Sequence, residues 1–491
     1  SQGTSDYFPM KNNNHHRIRT ILSLWTRGAF LLGLILVFAG FAKAEDAAVL
    51  TLDRCLEKAL AQNPALTLAE DDFAIARARA RAAAVSLFPA VTAKADETTG
   101  RAEQGVDNPP FVQRSYGVQA TQTIFSGGKL WGTQRQASLG AEIARWQLEK
   151  QRLDVRHAVT EAYWRVAGLQ QALRAHRDAH GLLQEDLEKA VRHDLSEARS
   201  ARIELLSTRA QNRESEAALA EVQESLLEAR QALWDALGER TATEYQVPEE
   251  MPAGFVDVDE SEALRLARDH RPDTRIADRM MESARFARSV ARSGVFPKID
   301  LNGFYGRSAS AFIETDPLIY KKDWNVGLSA NWAFIGNSVK YSAYREKTSP
   351  RLGESSRTET DNHALSLSLG DALGVGVVHR EGRRSFHEEE WRYEKSRRDA
   401  DNDVRLAVRR TATARSRYEA ARAKLEEALQ EFKDTRSLLQ EDRAHLGDLA
   451  AARNRVAFAQ AAQAQSQAQY LAAVSALNRA VGLSDKYRVR S

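Results

Sequence analysis

Apolar residues recur at helical spacing over most of the chain, and in two places that rhythm gives way to strict alternation. Between Lys129 and about Arg192 there is no proline, glycine occurs only at Gly132, Gly140, Gly168 and Gly181, and Ala, Leu, Gln, Glu and Arg dominate. This predicts one helix of 64 residues, on the order of 95 Å long at ~1.5 Å per residue. After a polar break near Asp194–Ser200 the spacing returns through Ile203, Leu206, Ala210, Ala217, Leu219, Val222, Leu226, Leu233 and Leu237. Lys129–Gly238 therefore reads as a long antiparallel helical hairpin. Upstream, a helix over Thr51–Gln62 stops at Asn63-Pro64 and a second, Ala65–Leu87, stops at Phe88-Pro89. The period then changes to two over about 89–97 and 116–125, predicting a strand pair, before Phe125-Ser-Gly-Gly128 turns the chain into the hairpin.

The same order recurs downstream. Pro64 matches Pro272 and Phe88-Pro89 matches Phe296-Pro297 at an offset of 208, and Phe125-Ser-Gly-Gly matches Phe334-Ile-Gly-Asn at 209. Trp146-x-x-Glu-Lys-x-Arg152 matches Trp391-x-x-Glu-Lys-x-Arg397 at 245, and Gly238 matches Gly482 at 244. Five ordered matches predict a duplication with an insertion of about 36 residues in the second copy. The domain reading is thus an N-terminal extension and signal peptide (1–44), a first repeat (45–254), a second repeat (255–484) and a tail (485–491). The second repeat has strands at about 297–306 and 323–334, the insertion at about 348–384 and its hairpin at about 385–482. Lengths add a packing expectation. Ala65–Leu87 and Glu197–Leu237 together equal the 64 residues of the long helix, so two short helices stacked end to end would lie along each long one. Such polar, Ala-rich rods point to a coiled-coil-like wall rather than an ordinary core.

The strands say what the wall is attached to. In Trp324-Asn-Val-Gly-Leu-Ser-Ala-Asn-Trp-Ala-Phe334 one face is Trp324, Val326, Leu328, Ala330, Trp332 and Phe334, and the other is Asn325, Gly327, Ser329, Asn331 and Ala333. Apolar-out, polar-in alternation with Trp near both ends is the signature of an outer-membrane barrel strand, the other reading being a half-buried strand of a soluble sheet. The stretch from Tyr116 to Ile124 repeats the pattern, giving a lipid-facing set of Tyr116, Trp324, Trp332 and Phe334. Four such strands leave edges that lipid cannot satisfy, so closure requires oligomerisation. In the insertion, His363-Ala-Leu-Ser-Leu-Ser-Leu369 alternates, Gly370–Gly374 can turn and Val375-Gly-Val-Val378 can return. The expectation is a small β-hairpin packed outside the helical wall; two extra barrel strands are the rival, set aside because the second Phe-x-Gly junction has already started a helix.

Composition narrows the picture. Of 491 residues 43% are hydrophobic and 28% charged, and the formal net charge of +3 arises from interspersed signs, which excludes disorder and gives no nucleic-acid signal. Arg17, Arg19 and Arg27 precede an apolar run, Ala29–Phe41, and Ala42-Lys-Ala44 has the small-x-small form of a signal-peptidase site, so export with cleavage after Ala44 is expected. The run is short for a membrane helix. The one cysteine, Cys55, excludes an intrachain disulfide, and its helical pattern suggests a small buried role. His-Glu-x-x-His, Gly-x-Ser-x-Gly and phosphate-cradling loops are missing, and His387-Glu-Glu-Glu390 reads as a solvated first helical turn rather than a metal site. No enzyme activity and no cofactor are expected.

Exported, duplicated strand-pair-plus-hairpin halves resemble the TolC-like outer-membrane efflux factor family over about Val49 to Leu483. The resemblance is carried by Leu52-Asp-Arg-Cys-Leu-Glu-Lys-Ala-Leu-Ala-Gln-Asn-Pro64, the two Phe-Pro junctions, Phe125-Ser-Gly-Gly128, and the return strokes Glu204-Leu-Leu-Ser-Thr-Arg209 and Asp448-Leu-Ala-Ala-Ala-Arg453. It implies a mainly α fold with a membrane β-barrel: a homotrimer with a shared twelve-stranded barrel on a tunnel of twelve helical rods. It also implies an exit duct from periplasm to exterior that docks to an inner-membrane transporter through a periplasmic adaptor protein. The family's glycine at each hairpin tip is replaced by Ala198 and Asp442. Tip and adaptor contacts would fall on Ala198, Ser200, His445 and Gly447. Repeat offset 244 aligns Glu204 with Asp448, and with Glu441 and Asp442 these are the candidate constriction acids, since a ring of carboxylates in a narrowing pore favours cations. The alternative function is a periplasmic coiled-coil adaptor without a pore.

Overall fold

The computed structural model of the protein describes residues 50–101, 109–194, 199–239, 247–248, 250–313, 317–349, 356–441 and 443–489; the expected signal peptide lies outside them. Helix α1 (Leu52–Gln62) gives way at Asn63, whose extended backbone and side-chain bond from Ala65 N (2.9 Å) start α2 (Pro64–Val85) with proline in its first turn. The first hairpin is α3 (Lys129–Asp194, 66 residues) and α4 (Arg199–Leu237, 39 residues). The second copy repeats this with α5 (Glu260–His270), α6 (Pro272–Arg292), α7 (Gly374–Gln440, 67 residues) and α8 (Leu446–Val481, 36 residues).

Short helices stack end to end along the long ones. α4 ends at Gly238, which takes a left-handed φ of 77° and lies so close to Asn63 and Pro64 that a Cβ there would sit 2.7 Å from Pro64 Cδ; Asn63 Nδ2 donates to Ala236 O (2.9 Å). α8 ends the same way at Gly482 (φ 83°) against Arg271, where α6 begins. α2 and α4 thus share α3 between them, and α6 and α8 share α7. Small residues let the rods approach closely: Ala457, Ala461, Ala464 and Ala468 are buried along α8, and Gly168 on α3 faces Ala468 where a Cβ would sit 2.9 Å away. The main apolar cluster gathers Ala263 and Ala267 of α5, Val404 and Ala407 of α7, and Tyr470, Leu471, Val474, Leu477 and Val481 of α8.

The strands form one antiparallel sheet in the order β1-β2-β3-β4-β5-β6: β1 (Ala90–Arg101), β2 (Pro110–Ser126), β3 (Lys298–Phe312), β4 (Lys321–Phe334), β5 (Asn337–Thr348) and β6 (Thr358–Ser368). Two expectations are overturned here. The insertion expected at about 348–384 does not pack outside the helical wall: its Thr358–Ser368 is β6, and the extra segment begins earlier than expected, with Asn337–Thr348 as β5, so the sheet has six strands among the described residues instead of four. Nor does Phe334-Ile-Gly-Asn337 start a helix. Ile335 (φ 46°) and Gly336 (φ 79°) form a two-residue hairpin turn that pairs Phe334 with Asn337. In the matching stretch the left-handed pair falls one residue later, at Gly127 (φ 60°) and Gly128 (φ 84°), and Lys129 onward has helical composition, whereas Ser338-Val-Lys-Tyr-Ser-Ala-Tyr344 alternates and carries a β-branched residue and two aromatics. The expected return strand Val375–Val378 is instead the start of α7, about eleven residues before the predicted Ser385.

Candidate functional site

Register transmits the alternation of β4 across the whole sheet. Opposed pairs such as Val326↔Gly303 and Val326↔Arg345, Leu328↔Leu301 and Leu328↔Ala343, and Trp332↔Val339 place directly facing residues on the same side. One face therefore carries Val91, Ala93 and Ala95 of β1, Tyr116 and Val118 of β2, Leu301 and Tyr305 of β3, Trp324, Val326, Leu328, Trp332 and Phe334 of β4, Tyr341 of β5, and Leu365 and Leu367 of β6. Much of it is bare: Trp332 is 49% exposed, Val326 52%, Tyr305 61% and Leu365 74%. A continuous exposed apolar face of this extent marks contact with lipid or protein. The opposite face is Gln119 and Thr121, Asn302, Asn325, Ser329, Asn331, Ser342, Ser366 and Ser368.

Aromatic residues sit at both ends of the apolar face. Tyr116 stacks obliquely on Tyr320 (5.5 Å) and lies one step from the Tyr305↔Trp324 pair. At the helix end, Trp332 lies 5.5 Å from Phe334 and its Nε1 donates to Val295 O (3.0 Å), tying the sheet to the 3-10 turn Ser293–Val295 after α6. Trp324 and Phe334 are half-buried, so two of the four expected girdle residues have protein on part of their surface, while Tyr116 and Trp332 are exposed. Beyond Tyr116 the same face is charged and self-paired through Arg114–Glu97 (2.9 Å), and on β5 and β6 the charge reaches further in, with Lys347 level with Trp324 and Arg345 opposite Val326, both on Glu359 (3.0 and 2.7 Å).

At the hairpin tips the candidate acids differ. Glu204 on α4 is nine-tenths buried, and its Oε1 accepts from Leu446 N (2.6 Å), the first residue of α8. It thereby ties one return stroke to the other. Asp448 is exposed at the first turn of α8 and accepts from His445 N (3.0 Å), a helix-capping bond. Gly447 is buried against α4 where a Cβ would sit 2.8 Å from Ser207 Cβ, so glycine permits that contact. His445 and Glu441 are exposed, and Glu441 pairs with Arg443 (3.2 Å). Ser200 belongs to the first turn of α4; Ala198 and Asp442 lie outside the described residues.

One buried ion pair escaped the sequence reading. Asp186 on α3 is 1% exposed, and Arg453 on α8 donates to its Oδ2 and to Leu182 O (3.0 Å), while Lys189 reaches Oδ1 (3.2 Å) and Phe432 of α7 lies under the guanidinium at 5.9 Å. The signal was present: Asp186 falls on the buried row Ala179, Leu183, Asp186, Ala190 of α3, a core position where an acid requires a partner. Elsewhere, Cys55 is fully buried and burial pushes its thiol up to about 12, as its small apolar role requires. His387 lies 3.4 Å from Glu390 on an exposed turn, and among the described residues no His, Cys, Asp and Glu group could hold a metal ion. No helix among them is long and apolar enough to cross a membrane.

Comparison with known proteins agrees with this geometry. Residues 55–239 match the family model described as outer membrane efflux protein. No curated protein matches the chain in sequence. Among solved structures, the outer membrane protein VceC from Vibrio cholerae is 16% identical with a TM-score of 0.68, covering 88% of this chain and 96% of its own. The open-state MtrE outer membrane channel of Neisseria gonorrhoeae is 18% identical (TM-score 0.67, covering 90% and 91%), and the Campylobacter jejuni CmeC outer membrane channel is 16% identical (TM-score 0.68, covering 88% and 85%). The resemblance to the TolC-like outer membrane efflux family is therefore shown twice, in sequence over residues 55–239 and in fold over nearly nine-tenths of the chain.

Proposed function

We propose that the protein is the outer-membrane exit duct of a tripartite efflux or type I secretion system, working as a homotrimer with its sheet in the outer membrane and its helices in the periplasm. The observation that carries this reading is the two-faced sheet: one side exposed, apolar and bounded by aromatics, the other polar, on helices some 66 residues long. A periplasmic adaptor has no use for a bare lipid-compatible face, which sets that alternative aside. Transport is passive, its energy supplied by an inner-membrane transporter reached through an adaptor at the tips around Ala198, Ser200, His445 and Gly447. No cofactor and no nucleic acid take part. The acids assigned to the narrow pore end are Asp448, Glu441 and Asp442, while Glu204 holds the two return strokes together. Membrane fractionation combined with mild electrophoresis tests the whole reading: outer-membrane recovery as a heat-sensitive trimer supports it, and a soluble periplasmic monomer would refute it.

A further inference from the structure

The inserted hairpin changes which strand can meet a neighbouring copy. β5 pairs with β4 residue for residue from Trp324↔Lys347 to Phe334↔Asn337, so the outer edge of β4 is occupied within the chain. Among the described residues nothing pairs with the outer edges of β1 and β6, which leave two rows of backbone N–H and C=O groups open. Hydrocarbon cannot satisfy such groups, and an open edge inside a membrane must be closed by another strand. Given the trimeric membrane reading above, on which this step rests, we infer that β6 of one copy pairs with β1 of the next, so that the inserted hairpin is the subunit contact of the barrel wall and three copies close eighteen strands.

Four features fit the two edges to each other. β1 has 12 residues and β6 has 11. Six is an even number, so β6 and a neighbouring β1 run antiparallel and the up-and-down order continues unbroken. The faces agree: Val91, Ala93 and Ala95 on β1 and Leu365 and Leu367 on β6 lie on the exposed apolar side, with Thr92 and Lys94, and Ser366 and Ser368, on the polar side. At the ends far from the helices, Arg101 of β1 would meet the level of Glu359 and Asp361 of β6, which are of opposite charge. The consequence is a wider exit. With strands ~4.8 Å apart and tilted ~40°, eighteen strands enclose a barrel about 36 Å across between backbones, against about 24 Å for twelve.

Disulfide trapping in native outer membranes, in a Cys55→Ala background, tests the contact. Cysteines on the polar side of β1 (Thr92 or Lys94) are combined with cysteines on β6 (Ala364, Ser366 or Ser368) or on β4 (Ser329 or Asn331). The inference predicts covalent dimers and trimers on oxidation for a β6 combination and none for the β4 combinations. Crosslinking through β4 alone would overturn it by placing the hairpin outside the wall, and intact trimers without crosslinks at either strand would overturn it as well. A monomer on native electrophoresis would instead refute the trimer reading itself. Deleting Ser338–Leu373 keeps the Phe334-Ile-Gly-Asn turn and frees β4, so β4 crosslinks should appear in that variant alone.

Discussion

The two copies of the repeat place like residues at like positions and then use them differently. Phe125-Ser-Gly-Gly and Phe334-Ile-Gly-Asn both turn through two successive left-handed residues, yet one enters a 66-residue helix and the other a strand. Glu204 and Asp448 align at an offset of 244, yet one is buried as a tie between helices and the other exposed as a cap. Asp186 and Glu431 align at 245: Asp186 is sealed against Arg453, whereas Glu431 meets Arg455 on the surface. In each pair the neighbouring chain, rather than the residue, decides the role. A duplication preserves spacing, while burial is set by what each copy packs against.

Substitutions at these pairs break or sharpen the comparison. The largest effect is expected at Asp186→Ala, which leaves Arg453 buried without its partner and should cost about 3–5 kcal/mol, while Glu431→Ala on the surface should cost under about 1 kcal/mol, both measured by denaturant unfolding in detergent. Equal losses would show that the two pairs are equivalent after all. Next comes the sheet. Leu328→Arg on the apolar face should cost roughly 2–4 kcal/mol at mid-bilayer, and Ser329→Arg on the polar face much less, read as the yield of heat-sensitive trimer. Glu204→Ala removes the acceptor for Leu446 N and is expected to cost about 1–3 kcal/mol. Asp448→Asn nearly preserves capping, so its stability change should be small and its effect should appear instead as reduced cation preference in single-channel recordings.

The smallest effect is one of pH. Burial holds the His176 imidazole below its ordinary value, against an upward pull from Glu221, and burial likewise lowers His157. A histidine lowered in this way contributes stability that is complete above the unfolded value near ~6.5 and is lost as pH falls through the native value. The thermal midpoint should therefore decline from about pH 6.5 downward, and decline less in His176→Phe. Their repeat mates at offset 245, Ala421 and Asn402, do not titrate, so the second copy carries no counterpart of either group.

Much of this was legible in sequence, for reasons that particular residues make plain. α3 was readable to within two residues at its C-terminal end because 64 proline-free positions leave no other structure. The apolar face of β4 was readable because Trp324 through Phe334 alternate without error. β5 was missed because the repeat alignment treated Phe334-Ile-Gly-Asn as a helix start, when the alternation from Ser338 to Tyr344 carried the better signal. Glu204's task was hidden because its partner is a backbone amide 242 residues away, which no local pattern reports.

The central claim is that all six strands, the inserted pair included, lie in one wall between lipid and water. Single cysteines along β4, β5 and β6, treated in intact outer membranes with a membrane-impermeant maleimide, test it directly; Cys55 is fully buried with its thiol pushed up to about 12 and stays silent. Labelling is predicted to alternate, strong at Asn325, Ser329, Ser342 and Ser366 and weak at Val326, Leu328, Tyr341 and Leu365. Alternation on β4 that vanishes on β5 and β6 would put the hairpin outside the wall, and even labelling of β4 would contradict the membrane reading altogether.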